Sequence, residues 1–328
     1  MVDMTSELTL RSLSSTDCII KTKAIHQLSA ELLDLLSTST CGAIIYGRAR
    51  IGKTRAMISV ADSIRDKYGE NFPVIMWDIT DHAITEKNFY TTLLMAMGFE
   101  QIPSSSTALA LKERVLNTLS IMAYETPFKK VVIMLDEAWK FTEKDFSWLM
   151  DLYNNLNHKD ILLTCFLFGT HELKDIKSEF KLRGKDQIIG RFMIKEYQFY
   201  GMKEAKELML CLVFMDNMPI KCASGNSSIM INDFFFPDRG EAKFINLASD
   251  YWNAFMNVRR ECKIAAEDIP MKYFIDSFII LLQKYGRFGA DRVAFPTYQE
   301  LVICIKESGY GESDDEYENT RSKRKKQA

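Results

Sequence analysis

No C-x-x-C pair occurs among the seven cysteines, Cys18, Cys41, Cys165, Cys211, Cys222, Cys262 and Cys304. Their odd number and wide scatter argue against a disulfide framework and for reduced thiols. The four histidines lie far apart, and none stands at metal-ligand spacing from a cysteine, so a zinc site finds no support. An excess of one charge is lacking too: 42 Lys and Arg face 44 Asp and Glu, a formal net charge of −2. That balance excludes a uniformly basic surface; a nucleic-acid partner would be met by a local basic patch, or by a pore assembled from several subunits. Long apolar runs are missing as well. Stretches such as residues 161–168 are far too short to span a bilayer, and the first residues show no charged-then-apolar leader pattern. The expectation is a soluble protein of the cytoplasm.

What the chain does have is 328 residues, 47% of them hydrophobic, enough for one large domain and a smaller one, each with its own core. After a polar stretch over residues 1–20, residues 24–36 place Ile25, Leu28, Leu32, Leu35 and Leu36 at helical spacing. Short apolar runs at 42–46, 72–80, 130–135, 161–169 and 193–200 read as strands, alternating with helical patterns near 53, at 85–98, 107–123, 141–157 and 171–180. Such alternation predicts an α/β fold with a five-stranded, mainly parallel sheet covered on both faces, and ligands at the carboxyl ends of the strands. From Met202 the pattern turns helical, with helices expected at 203–214, 242–263, 271–283 and 297–307. Residues 217–240, rich in Gly, Ser, Asn and Pro, read as a loop or short hairpin with Phe234, Phe235 and Phe236 at an apolar tip that docks a partner or folds back. The expected organisation is a polar segment over 1–23, a nucleotide-binding domain over 24–200, a helical lid over 201–310 and a disordered charged tail over 311–328.

Gly47-Arg48-Ala49-Arg50-Ile51-Gly52-Lys53-Thr54 fits G-x-x-x-x-G-K-[ST], between a predicted strand and a predicted helix. Backbone N–H groups of such a loop, with Arg55 following, wrap the phosphates of ATP at a helix N-terminus. Lys53 is expected to reach the β- and γ-phosphate oxygens and the Thr54 hydroxyl to ligate Mg²⁺. The apolar run Val131-Val132-Ile133-Met134-Leu135 ends in Asp136 and Glu137. Asp136 is expected to hold the metal and Glu137 to polarise the attacking water; the plainer reading of Glu137 is an acid at a helix N-terminus. Thr170, ending Leu167-Phe168-Gly169-Thr170, is either a sensor of the γ-phosphate or a cap for the next helix. Arg191 is a candidate arginine finger acting on a neighbouring subunit, Arg183 its rival, and a surface ion pair the plain alternative for either. Arg287 is a candidate lid arginine. Lys87, Lys112 and Arg114 are candidate DNA phosphate contacts, against the default of solvated side chains, and the basic cluster at 321–326 is a solubilising tail or a further contact.

The order of the 47–54 loop, Leu135-Asp136-Glu137-Ala138, Phe168-Gly169-Thr170-His171-Glu172-Leu173 and Gly190-Arg191-Phe192 resembles the TniB/TnsC family of transposition ATPases, of the AAA+ type, over residues 24–210. The resemblance implies a prokaryotic ATPase that uses ATP and magnesium, oligomerises as a ring or helical filament on double-stranded DNA, and links a target-selection protein to a DDE-type transposase. Two other readings stand beside it: a nucleotide-switched signalling or antiviral ATPase, and a replication initiator or helicase loader. The 217–240 insertion and the poorly matched lid depart from the family pattern. Arg48 and Arg50 are unusual within a phosphate loop.

Overall fold

The computed structural model describes residues 4–14, 18–80, 84–221 and 228–312. Of the tail expected to be disordered over 311–328, residues 313–328 lie outside the described residues, and 311 and 312 close a 3-10 turn that starts at Tyr310. Two compact units emerge. One comprises Ile25–Ala49 and Lys53–Phe199; the other gathers the described residues up to 24 and from 200 onward, with Arg50–Gly52.

In the first unit the helix α2 (Lys23–Ser37) buries the apolar stripe read from the sequence. Five strands follow, β1 (Gly42–Tyr46), β2 (Val74–Asp78), β3 (Lys130–Asp136), β4 (Leu162–Gly169) and β5 (Lys195–Gln198), in the order β2-β3-β4-β1-β5. All pair in parallel. Every connection is therefore a crossover, made by α3 (Lys53–Tyr68), α4 (Glu86–Ala96), α5 (Ala108–Tyr124), α6 (Glu143–Asn157), α7 (Glu172–Leu182) and α8 (Asp186–Phe192). Successive strand residues face opposite sides. Ile133, Leu135, Leu163, Cys165 and Leu167 join the core formed with α4, α5 and α6, while α3 packs against β2, β3 and β4. Both faces being covered, β1, β3 and β4 read as unbroken apolar runs rather than as alternating ones.

Helix starts are fixed locally. The Thr142 N–H and hydroxyl donate to Asp145 Oδ2 at 2.8 and 2.6 Å, closing a capping box at the head of α6. Thr85 and Thr107 accept from Asn88 and Ala110 N–H to cap α4 and α5. At the foot of β1, a Cβ on Gly42 would lie 2.7 Å from the Phe192 Cα, so only glycine lets α8 come that close to the strand.

The strand register decides where chemistry can occur. Tyr46 is paired with Gly169 on one side and Gln198 on the other, and Asp78 with Asp136. The phosphate loop leaves β1, the two acids end β3 and Thr170 ends β4, all at the carboxyl edge and from neighbouring strands.

The helical unit departs from expectation in one place and decides between the stated alternatives in another. The polar N-terminal stretch contains a helix, α1 (Met4–Ser14), that buries Thr5, Ser6, Thr9 and Leu13, with the Thr9 hydroxyl bonded back to the Thr5 carbonyl at 2.8 Å. The 217–240 segment is no exposed apolar tip. After α9 (Ala205–Asp216), strands β6 (Pro219–Lys221) and β7 (Ser228–Met230) pair antiparallel and lead into α10 (Ile231–Phe235). Phe235 and Phe236 are 1% exposed, and Phe234 is buried as well. The physical reason is a shared aromatic core: Phe236 meets Phe244 at 5.9 Å, and Phe244 meets Phe278 at 4.9 Å. Burying a phenyl ring stabilises by roughly 1.5–3 kcal/mol, which outweighs the flexibility suggested by Gly and Ser. The Asp216 carboxylate fixes the return, accepting from Phe244 and Ile245 N–H and from Asn232 Nδ2. Helices α11 (Ala248–Glu261), α12 (Met271–Tyr285) and α13 (Tyr298–Glu307) complete the unit.

Candidate nucleotide site

The loop after β1 begins with the Gly47 N–H donating to the Gly169 carbonyl at 3.2 Å, which ties it to the end of β4. Within it Arg50 and Gly52 have φ of 62° and 104°, turning the chain back on itself ahead of α3. Lys53, only 6% exposed, donates to the carbonyls of Gly47 and Arg48 at 3.2 and 2.8 Å. Burial holds its pKa below the ordinary lysine value, opposed by the negative charges of Glu137, Asp136 and Glu172. Three carboxylates from two different strand ends therefore converge electrostatically on one ammonium.

The Thr54 hydroxyl donates to Asp136 Oδ2 at 2.5 Å. Burial pushes the Asp136 carboxyl above its usual range, opposed by that bond and by the Glu137 N–H, which donates to Oδ1 at 3.0 Å. Glu137 itself adopts φ 51° and ψ 35°, a left-handed conformation that costs a non-glycine residue about 1–2 kcal/mol. Its surroundings hold it there: its carbonyl accepts the Lys140 N–H at 3.0 Å, and its Oε2 accepts from the Trp139 indole N–H. Backbone strain of this kind concentrates at functional positions.

Thr170 does not cap α7. Its hydroxyl donates to Glu172 Oε2 at 2.6 Å, and no side chain caps that helix. His171 lies edge-on to Tyr46 at 5.3 Å. Its pKa is pushed below the ordinary value, first by burial, then by the positive charges of Lys53, Lys174 and Arg48, with Asp175 opposing. His171 and Glu172 were missed as site residues. Their signal was present: three consecutive polar residues directly after a buried apolar strand.

These residues fit a magnesium nucleotide. Thr54 and Asp136 offer two hard oxygen donors side by side, and a divalent cation offsets the cost of ionising a buried carboxylate. Lys53 and the N-terminus of α3 offer donors for phosphate oxygens.

The other candidates have partners away from these groups. The Arg191 guanidinium lies 5.3 Å over the Tyr153 ring and donates to Met150 Sδ, both on α6. It lies in α8, a short helix directly ahead of β5. Arg183 is bound by Glu143 at 2.6 Å and Glu179 at 3.1 Å, the surface ion pair anticipated for it. Lys87 donates to the Ser104 carbonyl at 2.5 Å, Lys112 faces Asp151 at 3.7 Å, and Arg114 stacks on Phe99 at 4.3 Å. Arg287 sits in an exposed turn of the helical unit, its N–H bonded to the Phe235 carbonyl at 2.7 Å.

Residues 37–176 match the family model described as AAA domain. The chain has the AAA+ fold. Among solved structures it is similar to the ORC2 protein of Aeropyrum pernix in its ADPNP-ADP complexes, at 13% identity and a TM-score of 0.50, with 91% of this chain and 71% of that one covered. The ADP form of the same protein gives 13% identity and a TM-score of 0.51, covering 90% of this chain and 72% of that one. A search of curated proteins found no sequence match. The matched AAA segment contains the phosphate loop, Asp136, Glu137, Thr170, His171 and Glu172, and the five-stranded sheet with its helical second unit is the architecture the two ORC2 structures share with this AAA+ chain.

Proposed function

We propose that the chain binds ATP with magnesium and hydrolyses it to ADP and phosphate. The observation that carries this reading is the meeting of Lys53, Thr54, Asp136 and Glu137 at the carboxyl edge of one parallel sheet. The loop N–H groups and Lys53 would hold the phosphates, Lys53 exchanging its bonds to the Gly47 and Arg48 carbonyls for phosphate oxygens. Thr54 and Asp136 would hold the metal. Magnesium, when bound, supplies charge neutralisation at the phosphate oxygens. Glu137 would orient the attacking water and accept its proton as the bond from the γ-phosphorus to the bridging oxygen breaks. Thr170 would sense the γ-phosphate once its hydroxyl leaves Glu172. Arg191, held on Tyr153, would act on the site of a neighbouring copy. That the ORC2 structures are ADPNP and ADP complexes supports a nucleotide on this fold.

The finer reading is a DNA-associated regulator of transposition, assembling on duplex DNA and joining a target-selection protein to a DDE-type transposase. Its support is the ordered motif set shared with the TniB/TnsC pattern, with Lys87, Lys112 and Arg114 as the phosphate-contact candidates. A replication-initiator-like role is the second reading, favoured by the fold likeness to an ORC2 protein. Negative-stain microscopy on duplex DNA with ATP, a nonhydrolysable analogue or ADP separates them. ATP-dependent continuous coating, prolonged in Glu137→Gln, supports the transposition regulator. Discrete single-site complexes support the initiator. ATP turnover with no DNA binding in any nucleotide state removes both.

A further inference from the structure

Glu137 can serve as a base only if its carboxylate is aimed, and its left-handed backbone does not aim it. A glutamate side chain has three rotatable torsions beyond Cα, and the apolar end of β3 offers no side-chain donor of its own. The donor comes from two residues further on. The Trp139 indole N–H, in the single turn of 3-10 helix at Ala138–Lys140, donates to Glu137 Oε2. Oε1 carries no hydrogen bond among the described residues.

The indole is itself held from outside that turn. A Cβ built on Gly169 would lie 3.3 Å from Trp139 Cδ1 and 2.8 Å from Leu173 Cδ1, so the edge of the ring occupies space that glycine leaves at the end of β4. Lys140 Nζ stands 5.8 Å over the ring. The same Gly169 receives the Gly47 N–H through its carbonyl. The first residue of the phosphate loop and the indole that grips the acid thus rest on one residue.

We propose that Trp139 is a positioning residue for Glu137: its indole N–H fixes one carboxylate oxygen and presents the other to the attacking water, with Gly169 seating the ring. The proposal rests on the reading of Glu137 as the base of an ATPase. The bond does more than pack. An indole N–H is a donor only, so it cannot accept the water's proton in place of Glu137, and by occupying Oε2 it leaves Oε1 as the acceptor facing the reaction. Phenylalanine would keep most of the ring and remove the donor.

The test combines a spectrum without nucleotide and kinetics with it. In ¹⁵N-labelled protein, the Trp139 indole signal is identified by its loss in Trp139→Phe among the signals of the four tryptophans. It is expected downfield of the other three in wild type, and to move upfield in Glu137→Gln, whose neutral amide is a weaker acceptor. In steady-state assays Trp139→Phe is expected to lower kcat by about tenfold while KM and nucleotide affinity stay within about twofold, because the bond serves the transition state and not binding. Gly169→Ala, whose methyl would press on Leu173 at 2.8 Å and on the indole edge at 3.3 Å with the indole N–H intact, is expected to lower kcat in the same way. An indole signal indifferent to Glu137→Gln overturns the proposal, as does a Trp139→Phe enzyme with unchanged kcat. A wild-type protein that binds no ATP overturns the ATPase reading instead, and the indole spectrum separates the two failures.

Discussion

The Thr54 hydroxyl and the Asp136 carboxylate lie 2.5 Å apart, although 82 residues separate them in the chain. The sheet order produces this. The loop leaves β1 and the acid ends β3, and β4 is the one strand between them. A helix N-terminus and a strand carboxyl end come together, so one contributes a neutral hydroxyl and the other a charge.

Removing either partner should separate metal use from fold. Asp136→Asn keeps the hydrogen-bonding shape and loses the charge. It is expected to lower magnesium-dependent turnover by at least ~10²-fold, with the unfolding midpoint in the absence of nucleotide unchanged or raised, since a buried carboxylate is costly to ionise. Turnover against magnesium concentration, with a thermal melt, checks both halves.

Lys53→Ala should abolish tight nucleotide binding. The ammonium offers the loop's carbonyls a donor and, on exchange, the phosphates a charge-assisted bond. An affinity loss of at least about 10²-fold is expected by titration calorimetry with ADP and with ATP. Equal affinities in wild type and variant would remove Lys53 from the site.

His171 gives the nucleotide-free protein a pH signature. Its folded pKa lies below the ordinary histidine value of 6.5, so between the two the unfolded chain binds more protons than the folded one. Stability is therefore expected to fall as pH drops from about 6.5 toward the lower folded value, and His171→Gln should flatten that part of the curve. Denaturant midpoints at a series of pH values measure the slope. Asp136 acts with the opposite sign: its raised folded pKa makes the ionised acid a burden above the ordinary value of 3.8, so the fold loses stability as pH rises from there until the folded group ionises too.

Gly42→Ala tests the fold alone. Its Cβ would meet the Phe192 backbone at 2.7 Å and the Cys165 carbonyl oxygen at 2.9 Å, neither of which can rotate away. A loss of about 1–3 kcal/mol is expected from overpacking, read as a lower denaturant midpoint with nucleotide affinity retained in the remaining folded protein.

The meeting of the 47–54 loop with Asp136 and Glu137 was legible because its signals are local. A loop of fixed spacing between a strand and a helix, and an apolar run ending in two acids, need no knowledge of contacts. Helix α1 was not legible, because its buried side includes Thr5, Ser6 and Thr9, which carry no hydrophobic periodicity; the Thr9 hydroxyl is satisfied within the helix by the Thr5 carbonyl. The 217–240 segment was legible only as a choice between a loop and a short hairpin, docking outward or folding back: the decision came from Phe244, Phe278 and Asp216, which lie outside the segment. The partners of Arg191 and Lys112 on α6 could not be read from spacing either, since Tyr153, Met150 and Asp151 meet them only after the helices pack. Trp139 and Glu172 belong to the same class: each acts on a neighbour two residues away in a conformation that only the ends of β3 and β4 impose.

The most direct test of the central claim is phosphate release from ATP by the purified chain with and without magnesium, in wild type and in Glu137→Gln, alongside nucleotide affinity for both. Magnesium-dependent release in wild type, lowered at least ~10²-fold in Glu137→Gln with affinity retained, is the expected result. Release that is unaffected by Glu137→Gln, or a wild type that binds nucleotide without hydrolysing it under any condition that assembles the protein, would contradict the assignment of this site.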